Sequence, residues 1–532
     1  MQTPPTPTGI ISTADPHATH AGQTILQTGG NAFDAAVAIA AALNITEPMM
    51  SGIGGYGTIL IYHAPTQQIR FLNASGRIPQ AVNSDTFRPR NLRAPNPHYQ
   101  ANRRGAKAVS TPGNLHAWQA LSHTYGRLPW STLLQPAIKL AHDGFPIRPR
   151  LAHHIQQAFA SFSPEAQNIY GLNGRPLQPG HTLRQHNLAQ SLARIAQDGP
   201  AALYHGPIGQ AIHQTIQQQG GFLTLADLQN DQAEWWPAIS IPYRDTQVYV
   251  PAPPATSFPA LIRLGLLSQL DLPALGHNTP DTLHYFAEIT KHAFWCRLRY
   301  AGDPDIAPPP LDKLLSAAYW QETIAQIDPQ RATPFTPPAP IGPSSQHTTH
   351  FVVADGQGSI VSATQTIGQS FGSRIMPPGT GIWLNNSLQY CTFEPKGNPM
   401  DAHPGRRKLS GDCPTIVTKN GRPWIALGTP GGHTIAQTVP QLLINLIDFG
   451  HDIHQALAAP RISFAEPDQL LIEDTIPLAT QQALAARGHP LQITPTPIGN
   501  AHGLTITYDQ NGRPAHFTAA ADPRGDGLAA SP

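Results

Sequence analysis

Residues 347–366 read HTTHFVVADGQGSIVSATQT. Apolar and polar residues alternate on both sides of the turn sequence Asp355-Gly356-Gln357-Gly358. Alternation around a glycine-rich turn predicts a β-hairpin. If the turn is centred on its two middle residues, Thr348 lies opposite Gln365 or Thr366. Either register brings the Thr366 hydroxyl within hydrogen-bonding range of Thr348.

A proline-rich segment precedes the hairpin and gives Thr348 a special setting. We expect residues 328–346 to form an exposed, irregular connector; its prolines are Pro329, Pro334, Pro337, Pro338, Pro340 and Pro343. A threonine hydroxyl is a weak nucleophile that needs a base. Cutting the bond before Thr348 frees an α-amine that titrates near 8 and can accept the hydroxyl proton. The pattern alone leaves open a second interpretation, that Thr348 and Thr366 are ordinary strand residues.

A glycine pair between a strand and a helix forms a third candidate element. A strand at Trp424–Gly428 is followed by Pro430-Gly431-Gly432-His433-Thr434 and then by a helical pattern through Leu446. Consecutive backbone N–H groups at a helix N-terminus suit an oxyanion that forms during acyl transfer. Taken alone, the same residues also fit a simple strand-to-helix turn.

The N-terminal third predicts a buried helix, a glycine loop and a strand. Ala32–Leu43 is almost wholly apolar and follows a candidate N-cap, Asn31. Glycines between Ser51 and Gly57 match G-x-G-x-x-G, and Thr58–His63 then predicts a strand. A dinucleotide site needs the strand before the glycines and the helix after them. The order here is reversed, which argues against nucleotide binding.

The middle of the chain predicts helices. One runs from Thr111-Pro112-Gly113 to about Tyr125, Pro136 opens a second that ends near His142, and Thr279 caps a third that ends near Tyr300. We expect residues 522 to the end to form a loose tail.

The composition points to a small-molecule partner. There are 33 Lys+Arg and 32 Asp+Glu residues, so no charge excess favours nucleic acid or an anionic membrane. Three scattered cysteines, Cys296, Cys391 and Cys413, argue against a disulfide framework and a thiolate zinc site. No signal peptide or long apolar run is visible, so we expect a cytoplasmic enzyme, or a periplasmic one if a leader was removed.

Together these motifs resemble one family, the gamma-glutamyltranspeptidases, over nearly the whole chain. The similar blocks, in order, are GGNAFDAAVAIAAALNITEPMMSGIGGYG, TPGNLHAWQALSHTYGRLPW, PAIKLAHDGFPI, HTTH, GIWLNNSLQY, GRRKLSGDCPT, GTPGGHTIAQTVPQLLINLIDFG and DPRGDG. The resemblance implies an α/β (α+β) fold, the αββα four-layer sandwich of N-terminal-nucleophile hydrolases.

The resemblance also implies a precursor that cuts itself into a large subunit, 1–347, and a small subunit, 348–532. Thr348 becomes the nucleophile, Thr366 assists it, and Gly431 and Gly432 stabilise the oxyanion. The acyl group passes to water or to an amine, with no metal and no organic cofactor. The subunits assemble with each other, and a homo-oligomer of the processed heterodimer stays open.

The predicted substrate site departs from the family. When the segment is aligned on Pro79, Ser75 stands where the family has its carboxylate-binding arginine, and Arg77 lies two residues later. The acidic position becomes Tyr390, and Gly368 replaces a usual asparagine. Of a serine pair, Ser410 remains and Gly411 replaces the second; Ser387 stands at a usual glutamine. The predicted substrate-binding residues are therefore Arg77, Asn386, Ser387, Tyr390 and Ser410, with Arg374 as an alternative cation.

Three functional interpretations follow from this pattern. One is cleavage of gamma-glutamyl amides such as glutathione; another is an acylase acting on a different carboxylated amide, such as a cephalosporin side chain or a peptide. The third is an uncut relative that only binds a ligand. A metal site at His347-x-x-His350 is disfavoured, because positions i and i+3 of a strand face opposite sides.

Overall fold

The computed structural model describes residues 8–88, 96, 98, 100–337, 347–392, 395–407, 410–495 and 497–532. The strands are β1 Gly9–Thr13, β2 Tyr56–His63, β3 Gln68–Ala74, β4 Phe145–Pro146, β5 Gly171–Leu172, β6 Arg175–Pro176, β7 Thr182–Leu183, β8 Glu234–Pro237, β9 Ile239–Tyr243, β10 Thr246–Val250, β11 His347–Asp355, β12 Ile360–Gly368, β13 Thr415–Lys419, β14 Arg422–Gly428, β15 Ile462–Ala465, β16 Gln469–Glu473, β17 Leu491–Thr494, β18 His502–Tyr508, β19 Pro514–Ala521 and β20 Leu528–Ala530.

Helices occupy much of the remaining chain. The α-helices are α1 Pro16–Gln27, α2 Ala32–Thr46, α3 Asn114–Tyr125, α4 Trp130–Asp143, α5 Pro149–Ala158, α6 Pro164–Tyr170, α7 His186–Asp198, α8 Ala201–Tyr204, α9 Pro207–Gln218, α10 Leu225–Gln229, α11 Phe258–Leu267, α12 Leu272–Leu275, α13 Pro280–Tyr300, α14 Leu311–Leu314, α15 Ala317–Ile324, α16 Ile435–Ile447, α17 Ile453–Ala458 and α18 Leu478–Ala486. Short 3₁₀ helices lie at Ala106–Ala108, Phe159–Ser161, Ser387–Tyr390 and Gly432–Thr434.

Two large sheets form the centre of the molecule. In the described residues the first has the strand order β20-β1-β11-β12-β2-β3-β8, and the second has the order β19-β18-β14-β13-β10-β9. The pairings within both are antiparallel. The predicted hairpin thus lies in the middle of the first sheet, covered on both sides by other strands.

Side-chain alternation along the strands divides the core into three. Val352 and Ala354 of β11 pack with Ile416 and Leu504 of the second sheet. Phe351 and its alternate neighbours face the other way, into a core shared with α1 to α9. A third core lies between the second sheet and helices α11, α13, α16 and α17. The order of layers is therefore helix, sheet, sheet, helix, which is the predicted αββα sandwich.

The sequence of α2 explains why it lies in the interior. Asn31 caps the helix by accepting from the backbone N–H groups of Phe33 and Asp34, and Asp34 completes a capping box. Every residue from Ala32 to Thr46 is buried. Because the next residue, Glu47, follows without a break, the end of this helix brings a carboxylate under the first sheet.

Two local predictions are wrong. Pro136 does not open a helix but lies inside α4, which begins at Trp130. The buried apolar stripe continues on both sides of the proline, so packing outweighs the lost N–H; its residues are Leu133, Leu134, Ala137 and Ala141.

The end of the chain is not a loose tail. Leu528–Ala530 pairs with β1 as β20, and the buried Asp522 accepts from Arg461 and Arg524 at 2.7 and 3.1 Å. Burial of these ion pairs is a tertiary effect that local sequence does not show. Of the predicted connector, residues 328–337 are irregular, and residues 338–346 lie outside the described residues.

The helices of the structure differ from membrane-spanning helices in length or polarity. Among the described residues, no helix combines the length and the apolar character needed to cross a bilayer.

Candidate active site

The hairpin register brings Thr348 and Thr366 together, as the sequence predicts. Thr349 pairs with Gln365 and His347 with Gly368, so the register is irregular at Thr348. Two residues of β12, Thr366 and Ile367, lie opposite this one residue of β11, which is the arrangement of a β-bulge. The irregularity falls at the bond between His347 and Thr348.

The Thr366 hydroxyl binds the carbonyl of this bond. Its Oγ1 donates to the His347 carbonyl oxygen at 2.7 Å and accepts from the Gly368 N–H at 2.9 Å. The buried Tyr56 phenol is hydrogen bonded to Thr366 and Tyr390, and desolvation holds its pKa well above the usual value. A fixed donor on a carbonyl oxygen stabilises the negative charge that forms there when a nucleophile attacks.

Alternation along β11 determines the side on which Thr348 lies. His350 and Val352 face the second sheet, and the His350 ring packs against Gly428 at the end of β14. Thr349 faces the helical layer, where its hydroxyl donates to Glu47 at 2.7 Å. Thr348 therefore belongs to the face that looks toward the end of β14.

Buried polar contacts hold the start of β11 in place. The Glu47 carboxylate binds Arg150 at 3.1 Å as well as the Thr349 hydroxyl. Desolvation is the largest influence on this carboxyl and raises its pKa, while Arg150 and Thr349 act in the opposite direction. Each Glu47 carboxylate oxygen has one of these partners, so the strand cannot slide without breaking the hydrogen bond to Thr349.

The glycine turn after β14 has a backbone that requires glycine. Gly431 has φ +141° and Gly432 has φ +60°, values in the region that L side chains rarely adopt. A Cβ on Gly431 would lie 2.3 Å from Thr434 Oγ1. The turn leads into a 3₁₀ segment and then α16, so both glycines lie at a helix start as predicted, while their role in binding an oxyanion stays a prediction.

A cavity of about 410 Å³ adjoins both the start of β11 at His347 and this turn. Its wall includes His347 on one side and Pro430, Gly431 and Thr434 on the other. Further lining residues include Arg150, His153, His154, Asn500 and Arg524. The volume suits a small organic group.

The imidazoles of His347 and His154, beside the bond between His347 and Thr348, are uncharged at neutral pH. Burial is the first cause that lowers the pKa of His347 to about 4, followed by the positive charges of Arg150 and Arg104. Burial likewise lowers the pKa of His154 to about 3. The two rings meet edge to face at 5.3 Å. His350 lies in a separate, fully buried site, where Nδ1 meets Thr364 Oγ1 at 2.9 Å. His347 and His350 thus lie in different environments.

Arg77 lies at the predicted position but is paired by protein carboxylates. Its Nη2 donates to Glu234, its Nε lies 3.8 Å from Asp231, and its Nη1 donates to the Gly405 carbonyl at 3.1 Å. A substrate carboxylate would have to displace these groups. Arg374, the alternative cation, donates to Ser161 Oγ at 2.5 Å. A substrate role for either arginine stays a prediction.

Asn386 and Ser387 lie in the buried loop that supports the bulge. Asn386 Oδ1 accepts from the Gln369 N–H at 2.8 Å, and its Nδ2 donates to the Arg103 carbonyl at 2.8 Å. A Cβ on Gly368 would lie 2.1 Å from this Oδ1, which explains the glycine there. The Ser387 hydroxyl is hydrogen bonded to Ser110 Oγ. Both side chains therefore support the loop, and their contact with substrate stays a prediction.

Tyr390 and Ser410 differ in their exposure to solvent. Tyr390 is partly exposed and reaches Tyr56. Ser410 is buried; its hydroxyl accepts from the Asp412 N–H at 3.3 Å. A Cβ on Gly411 would lie 3.2 Å from the Gly432 carbonyl oxygen, so the glycine at this position lets the two loops approach.

The sequence did not identify several groups around the site. Tyr56, Glu47, Arg297 and His433 were not predicted as site residues. Tyr56 and Glu47 lie in a quoted N-terminal block, and His433 in the glycine turn, so position in a motif was the available signal. Arg297 lies in the last turn of α13, where local sequence gives no such signal.

Comparison with known proteins places this geometry in a family. The family model described as Gamma-glutamyltranspeptidase matches residues 18–531. The chain belongs to the gamma-glutamyltranspeptidase family. It is an enzyme of the N-terminal-nucleophile hydrolase type, since relatives and structural neighbours share that class.

Three relatives of this family member show how far the similarity extends. The Acylase ACY 1 proenzyme of Pseudomonas sp. (strain V22) is 36% identical over 530 residues, covering 98% of this chain and 92% of the relative. The Glutathione hydrolase proenzyme of Escherichia coli (strain K12) is 33% identical over 535 residues, covering 97% and 90%. The crystal structure of cephalosporin acylase from Bacillus halodurans aligns with a TM-score of 0.89 at 29% identity, covering 100% of this chain and 98% of that one.

Proposed function

We propose that this family member cuts itself between His347 and Thr348 and then hydrolyses or transfers carboxylated acyl groups from amides. The observation that carries the proposal is the Thr366 hydroxyl, which donates to the carbonyl oxygen of the bond to be cut. The proenzyme names of the two curated relatives support self-cleavage.

The cut follows from the groups at the bulge. The Thr348 Oγ attacks the His347 carbonyl carbon, and Thr366 stabilises the oxyanion. The C–N bond breaks, the new amine takes the proton, and an ester joins His347 to Thr348. Water hydrolyses this ester, which leaves a carboxylate on His347 and a free amine and hydroxyl on Thr348.

The same threonine then acts on substrate. Its amine accepts the Oγ proton as the oxygen attacks an amide carbonyl, and the N–H groups of Gly431 and Gly432 bind the oxyanion. The amine passes the proton to the leaving amine, and water or a second amine removes the acyl group. These steps need no metal and no organic cofactor.

Two classes of acyl group fit this reaction. The gamma-glutamyl group is supported by the family model and the glutathione hydrolase relative. A dicarboxylic acyl group without an amine is supported by Tyr390, which stands where the resemblance expects a carboxylate for a substrate ammonium. The acylase relative supports the second class as well.

Matched anilides separate these classes. Glutaryl and gamma-glutamyl p-nitroanilides differ only by the α-amine, and release of p-nitroaniline is followed with cleaved wild type. We expect release from both and a higher kcat/KM for the glutaryl compound, with uncut Thr348→Ala inactive. Fast turnover of the gamma-glutamyl compound alone would favour the first class. No release by fully cleaved protein would contradict the proposal.

A further inference from the structure

Arg297 is a buried cation close to the site that forms no salt bridge among the described residues, although Glu466 acts on it electrostatically at longer range. It lies in α13 and is 6% exposed. Among the described residues no carboxylate oxygen lies within 4.0 Å of it, and its Nε, which is also buried, has no hydrogen-bond partner there. Burial lowers its pKa to about 10, so it remains charged at neutral pH. A buried cation of this kind is costly unless an anion joins it.

Three other arginines near the site are paired with protein carboxylates. Arg77 binds Glu234, Arg150 binds Glu47, and Arg524 binds Glu473. The charged or ionisable groups that face Arg297 are Glu466, Tyr390 and Arg263, and its guanidinium also stacks on Phe294. The Glu466 carboxylate lies 3.9 Å from His433 Nδ1 and more than 4.0 Å from Arg297.

Two chains of contacts connect Arg297 to the reacting groups. Its Nη2 donates to His433 Nε2 at 2.8 Å, and His433 follows Gly432 directly. Because arginine can only donate, this contact leaves the His433 proton on Nδ1. The second chain runs from the His347 carbonyl through Thr366 and Tyr56 to Tyr390, whose phenol lies near enough to Arg297 to interact with it electrostatically.

The reaction determines on which side of Thr348 the leaving group lies and on which side the acyl chain lies. The Thr348 amine appears where His347 departs, and it must protonate the leaving amine, so the leaving group lies on the His347 side. The 410 Å³ cavity is on that side; its lining includes Gly431 and Thr434 but neither Arg297 nor Tyr390. The acyl chain therefore extends across the glycine turn, toward Tyr390 and Arg297.

We propose that Arg297 binds the terminal carboxylate of the acyl group, with His433 orienting its guanidinium. The fork of the guanidinium matches the two oxygens of a carboxylate. Arg297 thus acts as the specificity residue that replaces the clamp absent at Ser75 and Gly411. This inference rests on the proposed acyl-transfer function and deepens it.

A ratio of two substrates tests the assignment. Glutaryl and pentanoyl p-nitroanilides have the same chain length and differ in the terminal carboxylate. We expect cleaved wild type to prefer the glutaryl compound, and Arg297→Met to lower the glutaryl-to-pentanoyl ratio of kcat/KM about 100-fold. Arg299→Met, an exposed position two residues along the same helix, is the matched control and keeps the ratio.

The outcomes distinguish a failure of the Arg297 assignment from a failure of the proposed acyl-transfer function. An unchanged ratio in Arg297→Met, or a fall seen in Arg77→Met instead, overturns the assignment while the acylase function stands. If wild type stays uncut or releases neither aniline, the proposed function fails first. Arg297→Lys covers the case in which Arg297→Met does not fold. It keeps the charge but loses the fork, so an intermediate ratio supports the assignment and a wild-type ratio overturns it.

Discussion

Thr366 is the residue whose hydroxyl meets the bond that we propose is cut, at 2.7 Å from the His347 carbonyl oxygen. Sequence pairing placed this hydroxyl near Thr348, and the structure adds that it donates to the preceding carbonyl. The difference matters chemically, because a donor on that oxygen stabilises the intermediate of self-cleavage.

Removing this donor has a defined expected effect. In Thr366→Val the shape is kept and the hydroxyl is lost, so self-cleavage is expected to slow about 100- to 1000-fold. A time course of intact mass measures it. Thr366→Ser keeps the hydroxyl and is expected to cleave close to the wild-type rate. Cleavage of Thr366→Val at the wild-type rate would rule out this role.

Some site residues could be predicted from the sequence because they belong to contiguous patterns. Hairpin arithmetic places Thr366 near Thr348, and the strand-to-helix pattern marks Gly431 and Gly432, while the catalytic roles of all four are what the family resemblance implies. Arg297 could not, because its meeting with His433 joins α13 to the start of α16. The bulge at Thr348 was also unpredictable, since alternation specifies a register but not a local irregularity within it.

At the scale of elements, β11 is paired with another strand along both of its edges. β12 covers one edge and β1 the other, and β1 in turn pairs with β20. The sequence predicted β11 and β12 well, because their alternation is regular. It missed β20, since three residues near a chain end carry too little pattern to predict a strand.

This pairing predicts that the chain end contributes to stability. Truncation after Gly527 removes β20 and exposes the edge of β1. It also removes the hydrogen bond that the Thr19 hydroxyl donates to the Leu528 carbonyl at 2.9 Å. We expect a Tm several degrees lower and slower self-cleavage, measured by calorimetry and intact mass. Removal of Ser531 and Pro532 alone is the control. Equal Tm values for both truncations would show that β20 pairing is unimportant.

At the scale of the whole molecule, burial keeps many histidines neutral. Desolvation is the first cause that lowers the pKa of His502 to about 3 and that of His489 to about 3, and it holds the pKa of His350 well below 6.5. An unfolded histidine binds a proton near pH 6.5. A depressed pKa therefore contributes stability that is present above pH 6.5 and is lost as the pH falls toward the folded value.

A variant isolates one of these groups. In uncut Thr348→Ala protein, the further change His502→Gln removes a buried imidazole that meets Ser12 Oγ at 3.2 Å. We expect its Tm deficit to be largest at pH 8 and to shrink as the pH falls from 6.5 to 4.5, because only the parent then loses the histidine contribution. Substitution of the exposed His123 by Gln gives a flat difference. A deficit for His502→Gln that grows in acid would contradict this sign.

Thr348 is the proposed self-processing nucleophile, and the intact mass of the purified chain tests this role directly. Wild type is expected to separate into residues 1–347 and 348–532, while Thr348→Ala keeps the full mass of 57.2 kDa. Wild type that remains one chain after long incubation would contradict the account and favour a relative that only binds its ligand.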